Sequence, residues 1–234
     1  MPTLVTWNCN MAFRKKKEQL LQHDPDILVI AECESPQSNG DWSDFSDWRW
    51  IGENEHKGLG IFARNGITLD SAFVDGDGGR YSIPVTTDTA IDLLGIWAMN
   101  DKQQPANRYI GQVYRSLQDY QDWIDSQTVV LGDFNWNVIW DESPKSPLCG
   151  NFAETVDILQ SHELHSAYHT VTDTAFGNEE DATFYMHKSQ DKEYHIDYIF
   201  AGGEILDSVA SFSVGDYTDW IDASDHMPVI CEFE

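Results

Sequence analysis

The chain has 234 residues, of which 41% are hydrophobic, and a formal net charge of −26 from 40 acidic and 14 basic side chains. That length and apolar content fit a soluble globular protein with a full core. No apolar run approaches the roughly 18 residues of a membrane span, and Arg14-Lys15-Lys16-Lys17 is not followed by the apolar stretch of a secretion signal. The expectation is one domain over residues 1–234 in the cytoplasm, working as a monomer with no membrane contact. The acidic surface should repel DNA at long range except where salt screens it. Cys9, Cys33, Cys149 and Cys231 lack CxxC spacing and read as reduced thiols, mostly in the core.

In chain order, Leu4-Val5-Thr6-Trp7 reads as a buried strand ending at Asn8, and Phe13 to Gln22 as a helix with a basic first turn. Asp26 to Ala31 is a strand apolar enough to be covered on both faces. Asp41 to Trp50, rich in Trp and Asp, reads as a loop entering a strand. Gly58 to Arg64 follows, and Asn65-Gly66 predicts a tight hairpin turn returning through Ile67 to Phe73. Asp75 and Asp77 lie in a glycine-rich segment that reads as a turn rather than a calcium loop, since no Glu closes it. Tyr81 to Val85 and Ile91 to Met99 continue the strands. Ile110, Val113, Leu117, Tyr120 and Ile124 are spaced for one face of a helix. The strand Thr128–Leu131 comes next, and Asn151 with Glu154 predicts a capping box ahead of Phe152, Val156 and Leu159. Thr183 to Met186, His195 to Ala201, Leu206 to Val214 and Val229 to Phe233 complete the strands. Many strands with few helices imply a layered α/β or α+β fold.

Five segments place acids, amides and one His at strand ends: Asn8 and Asn10, Glu32, Asp133 and Asn135, Asp197, and Asp225-His226. No Ser or Cys nucleophile accompanies a base. Ser224-Asp225-His226 cannot act as a hydrolase triad, because chain neighbours do not readily face one another in that geometry. Oxygen-rich ligands of this kind suit Mg²⁺ and phosphate chemistry. Taken singly, each element has a plain reading, since Asn and Asp after a strand are often turn formers.

The ordered set Trp7-Asn8-Cys9-Asn10, Ala31-Glu32, Gly132-Asp133-Phe134-Asn135, Ile196-Asp197-Tyr198 and Ser224-Asp225-His226 resembles the endonuclease/exonuclease/phosphatase superfamily from end to end. The resemblance implies a DNase I-like four-layer α/β sandwich, two packed mixed β-sheets flanked by helices. It implies Mg²⁺ (or Mn²⁺) held by Glu32, with Asn10 and Asp225 contributing directly or through water. Asp133 would orient or deprotonate the attacking water, and Asn8 and Asn135 would hold phosphate and catalytic groups. His226 would contact a phosphate oxygen, with Asp197 fixing its tautomer and raising its pKa. The implied activity is hydrolysis of DNA phosphodiesters by water, as an endonuclease or a 3′→5′ exonuclease. The alternatives are a phosphatase or phosphodiesterase on a small or lipid phosphate, and a non-catalytic scaffold of the same fold.

The chain departs from the family's Tyr-x-Pro-Asn-like segment, carrying Trp97-Ala98-Met99-Asn100 instead, and it lacks the His segment of DNase I and the sphingomyelinases. Trp97 could donate its indole N–H to substrate or lie in the core; Asn100 stays a substrate-binding candidate. Arg14, Lys15, Lys16 and Lys17 are expected to touch the phosphate backbone, with Lys57, Arg108 and Arg115 as weaker candidates. Trp136 and Trp140 could stack on unpaired bases or pack as core.

Overall fold

The computed structural model describes residues 2–37, 40–72, 80–145 and 147–234. The first half of the chain contributes strands β1 (Leu4–Asn8), β2 (Ile27–Cys33), β3 (Asp47–Asn54), β4 (Lys57–Ala63), β5 (Leu69–Ser71), β6 (Ser82–Thr87) and β7 (Asp92–Trp97). The second half contributes β8 (Thr128–Asp133), β9 (Leu164–Ser166), β10 (Phe184–Tyr185), β11 (Glu193–Tyr194), β12 (Asp197–Gly202), β13 (Val209–Val214) and β14 (Val229–Phe233). They form two six-stranded sheets, ordered β13-β14-β1-β2-β4-β3 and β5-β6-β7-β8-β12-β9, and β10 pairs with β11 as a ribbon. Each large sheet is mixed: β1 runs parallel to β2 and β7 parallel to β8, and the other pairings are antiparallel.

The central strands are apolar at consecutive positions because each side of each sheet meets a different core. Leu4, Ile27 and Val29 face Leu93, Val129, Leu131 and Ile199 between the sheets. Their sequence neighbours Val5, Trp7, Leu28 and Ile30 point outward onto Phe13, Leu20 and Trp220. On the far side Leu94, Ile96 and Val130 meet Val113, Leu117, Phe152 and Leu159 from the helices Ile110–Tyr120 and Phe152–Ser161. Burying a side chain of this size stabilises by about 1.5–3 kcal/mol, so the two-sided strands anchor all three cores at once. The capping box is complete: Asn151 Oδ1 accepts from Glu154 N at 2.8 Å, and Glu154 Oε2 accepts from Asn151 N at 3.0 Å.

Several local expectations are corrected. Asn65 and Gly66 do turn, with φ of 55° and 83°, but the turn carries the chain from β4 in one sheet to β5 in the other and closes no hairpin. The hairpin is β3–β4. Phe13 to Gln22 is not one helix: Glu34 caps a 3₁₀ turn at Phe13–Lys15, and a short helix, Lys17–Leu21, follows. The strand over Thr183 to Met186 shrinks to two residues, Phe184–Tyr185, and the segment from Leu206 begins as a helical turn, Gly203–Leu206. The strand Leu164–Ser166 and the helix Ala167–Thr172 carried no periodic signal long enough to read. Phe73, Asp75 and Asp77 lie outside the described residues. Cys9, Cys33 and Cys231 are buried, Cys149 is exposed, and all four thiols are free.

The topology brings the chemistry to one edge. β1, β2, β7 and β8 end there, with Asn8 opposite Ala31 and Trp97 opposite Asp133. The antiparallel neighbour β12 starts there, pairing Asp197 with Asp133. β14 runs antiparallel to β1, so His226, just before it, arrives at the same edge.

Candidate active site

The backbone at this edge is held in uncommon conformations. Gly132 has φ of +149°, and a Cβ there would lie 1.9 Å from the Ile96 carbonyl oxygen, so only glycine lets β8 approach β7 ahead of Asp133. Glu32 occupies a β-bulge between Ala31 and Cys33 with φ of +62°. Asn135 (φ 53°) and three consecutive residues, Asn10, Met11 and Ala12 (φ 49°, 68° and 54°), also lie in the left-handed region. Each such residue costs on the order of 1–3 kcal/mol, and strain of this kind gathers where side chains must be aimed.

Asp133, Asp197 and His226 form the inner wall. Both aspartates are 0% exposed and His226 is 5% exposed. Asn8 Nδ2 donates to Asp133 Oδ2 at 3.0 Å, and Asn135 N donates to Asp133 Oδ1 at 2.8 Å. Asn8 Oδ1 accepts from Asn10 N at 3.1 Å, so two bonds settle which way the Asn8 amide faces. His226 Nδ1 lies 2.9 Å from Asp197 Oδ2. The His226 backbone is pinned as well: its N–H donates to Ser224 Oγ at 3.0 Å, and its carbonyl accepts from Trp7 Nε1 at 2.9 Å. Thr183 Oγ1 accepts from both Ile196 N (2.9 Å) and Asp197 N (3.0 Å), which fixes the start of β12. Asp197 Oδ1 is buried with no hydrogen-bond partner among the described residues. Asp133, Asp197 and His226 each present a ligand atom within 4.8 Å of the others.

The electrostatics follow from this packing. Burial pushes Asp133 up to about 7, with the negative Asp197 adding to the rise and the His226 charge and the Asn8 hydrogen bond opposing it. Burial alone would lower His226, but Asp197 and then Asp133 outweigh it and raise it to about 10. His226 Nδ1 faces the Asp197 carboxylate, so Nε2 is the ring nitrogen left to meet a ligand.

The outer wall is wetter. Glu32 is 19% exposed at its side chain, and its Oε2 lies 2.9 Å from Lys57 Nζ. Asn10 is exposed, and its Nδ2 donates to Asp225 Oδ1 at 3.3 Å. Asn135 Nδ2 donates to the Ala98 carbonyl at 3.2 Å. Asn100 is exposed on the loop after β7.

The basic segment is corrected in part. Lys17 is buried, its ammonium held by the Asp41 carbonyl and the Asp44 carboxylate, so it cannot reach a substrate. Lys16 Nζ donates to the carbonyls of Cys9, Asn10 and Ala223, tying the Asn10 turn to the loop that carries Asp225. Arg14 pairs with the buried Glu34 at 2.6 Å. Lys15 projects into solvent. Of the two readings of Trp97, the structure takes the core one: it is 3% exposed, its ring 4.7 Å from that of Tyr81 at a 47° tilt.

A cavity of about 580 Å³ opens beside the inner wall, lined by Tyr109, Trp136, Trp140, Phe184, Tyr194 and Ile196 among others, with Arg108, Lys145 and Asn135 also on its walls. The Phe184 ring lies 4.6 Å from the His226 ring, so the cavity adjoins the catalytic edge directly. Tyr109, Phe184, Tyr194 and Thr183 were not singled out in the sequence. For Phe184 and Tyr194 the local signal is an aromatic density between residues 184 and 198 that reads equally well as strand core, and Tyr109 and Thr183 carry no such signal.

Comparison with curated proteins finds no match. Among solved structures, the 3′ phosphatase NExo from Neisseria bound to a product DNA hairpin superposes with a TM-score of 0.72 at 19% identity, covering 100% of both chains. An AP endonuclease from Archaeoglobus fulgidus gives 0.70 at 16% identity, again over 100% of both chains. The catalytic domain of Xenopus laevis APE2 gives 0.71 at 14% identity, over 99% of this chain and 91% of that one. These likenesses establish the DNase I-like sandwich of two mixed sheets. Residues 5–226 match the Endonuclease/Exonuclease/phosphatase family, and the chain belongs to that family.

Proposed function

We propose that the protein is a divalent-metal-dependent phosphodiesterase that hydrolyses DNA by direct attack of water, as an endonuclease or 3′→5′ exonuclease. The observation that carries this reading is the inner wall: a buried Asp133 raised to about 7, held at both oxygens, beside a His226 raised to about 10. A carboxylate that titrates near neutrality is suited to take a proton from water at working pH. Asn8 and Asn135 hold the Asp133 carboxylate so that it need not reorganise as the proton moves. His226 donates Nδ1–H to Asp197, which leaves Nε2–H to donate to a nonbridging phosphate oxygen. Among the described residues no Ser or Cys at this edge stands beside a base as a covalent nucleophile, which supports a single in-line displacement by water.

The donor set fits a hard cation. Glu32, Asn10 and Asp225 offer oxygen ligands at a half-open edge, the arrangement Mg²⁺ or Mn²⁺ takes when it keeps several waters. Glu32 already holds one cation, the Lys57 ammonium. When bound there, the metal would polarise the phosphate and offset charge on the leaving oxygen. We favour this outer wall over the buried Asp133–Asp197–His226 group, because there both Asp133 oxygens and His226 Nδ1 are already engaged by Asn8, Asn135 and Asp197. The aromatic cavity supports a nucleic-acid substrate over a small phosphate ester: Trp140 and Tyr194, with ring centroids 5.0 Å apart, give bases surfaces to stack on. The structural relatives named above include a 3′ phosphatase with a DNA hairpin, which makes a 3′-phosphorylated end a substrate to include in the tests.

The test is incubation of supercoiled plasmid and of end-labelled single- and double-stranded oligonucleotides with Mg²⁺, Mn²⁺ or EDTA, beside Asp133→Ala. Metal-dependent cleavage absent from the variant is the expected result, and the product ladder separates exo from endo action. Intact DNA under every condition, with phosphate released from soluble esters, would replace this reading with the small-phosphate one.

A further inference from the structure

Lys57 opens β4, next to the β2 bulge that carries Glu32. Its Nζ lies 2.9 Å from Glu32 Oε2 and 5.4 Å from the centroid of the Trp97 ring. The ammonium is therefore held on two sides, by a carboxylate and by the negative face of an indole. Trp97 pairs in register with Asp133, so this cation sits where the two sheets meet at the catalytic edge. Among the described residues no other Lys or Arg forms an ion pair with Glu32, Asp133, Asp197 or Asp225. The pair is open to solvent on one side, with the Lys57 side chain 37% exposed. Glu32 itself sits in a left-handed conformation that persists only while its surroundings hold it.

A carboxylate oxygen engaged by an ammonium is not fully available to a divalent ion, and two cations a few ångströms apart repel. Mg²⁺ and Mn²⁺ carry twice the charge of the ammonium and accept the oxygen ligands this edge offers. We propose that Lys57 is a tethered counter-ion of Glu32: it steadies the strained carboxylate while no divalent ion is bound, and a divalent ion displaces it on binding. Lys57 is thus a positioning residue that sets the metal concentration at which the site fills. This rests on Glu32 being a metal ligand.

The test is Mn²⁺ binding to the DNA-free protein, by electron paramagnetic resonance of the free ion, for the wild type, Lys57→Met, Lys57→Arg and Glu32→Gln. Removing a partly exposed ion pair should tighten Mn²⁺ binding about two- to five-fold in Lys57→Met, with Lys57→Arg close to the wild type. The half-saturating Mg²⁺ for cleavage should fall in the same proportion. Unchanged or weaker Mn²⁺ binding in Lys57→Met overturns the counter-ion role. If that occurs while Glu32→Gln loses Mn²⁺, the ligand assignment stands alone; if Glu32→Gln binds Mn²⁺ like the wild type, both fall. Circular dichroism checks that each variant folds, and Lys57→Gln replaces the Met variant if it does not.

Discussion

The two walls of the site both present carboxylates but behave differently. Asp133, Asp197 and His226 are buried, and neighbours hold both Asp133 oxygens and His226 Nδ1. Glu32, Asn10 and Asp225 are partly or fully exposed, and their fixed partners are one ammonium and one amide. A carboxylate in a low-dielectric wall has its pKa set by its surroundings, whereas one near water keeps lone pairs free for an exchangeable ion. In the function proposed above, proton handling falls to the inner wall and cation handling to the outer one. The comparison also separates Asp133 from Glu32, two strand-end acids that look alike in sequence.

The sharpest way to break this comparison is Asp133→Asn. Activity should fall by on the order of 10³-fold or more, since proton abstraction and preorganisation are both lost. Added metal should not restore it. Stability should change little at pH 8: removing a buried charge whose cost builds as pH rises from the ordinary 3.8 and is complete above about 7 is offset by leaving Asn8 Nδ2 or Asn135 N without its acceptor. A variant that unfolds, or one that metal rescues, would move Asp133 into the cation site.

The pH dependence sharpens the inner wall. The kcat/KM profile should rise as Asp133 ionises near about 7 and fall as His226 deprotonates near about 10. Asp197→Asn removes the largest influence raising His226, so the alkaline limb should move toward neutrality. Linkage gives a second readout. His226 titrates higher folded than its ordinary 6.5, so its stabilising contribution is complete below 6.5 and is lost as pH climbs through about 10. Thermal melts of the wild type should therefore decline across that window, and melts of Asp197→Asn should decline less.

A smaller effect divides the basic segment. Lys17→Met should cost about 1–3 kcal/mol of stability, read by urea unfolding, because it leaves the partly buried Asp41 carbonyl and the partly exposed Asp44 carboxylate without their donor. Lys15→Gln should leave stability alone and reduce the salt dependence of DNA binding slightly, by less than about one phosphate contact. Equal stability losses in both variants would mean that Lys15 is also held by the fold.

The two-sided strands were legible because Ile27-Leu28-Val29-Ile30-Ala31 and Thr128-Val129-Val130-Leu131 contain no polar break, and a strand covered on both faces needs none. The Asn151–Glu154 cap and the helix from Ile110 were legible for the same local reason: their partners lie three or four residues away. Asn65-Gly66 misled because a turn dipeptide specifies a reversal and not which strand pairs across it. Lys17 misled because a lysine stem is long enough to bury its head against a distant carboxylate, and net charge does not reveal which cations are already paired.

The sequence by itself determined which residues end up at strand termini, since apolar runs and the Asn and Asp residues that follow them are local features. Only the tertiary structure decided which of those acids is dry and which is wet. That depends on strand order: pairing β8 with β12 sets Asp197 against Asp133 and closes His226 over them. Pairing β2 with β4 at a bulge instead turns Glu32 toward Lys57 and solvent. Burial and charge–charge distance are properties of contacts between residues far apart in the chain, 125 positions in the bond from Asn8 to Asp133 and 219 in the bond from Trp7 to His226.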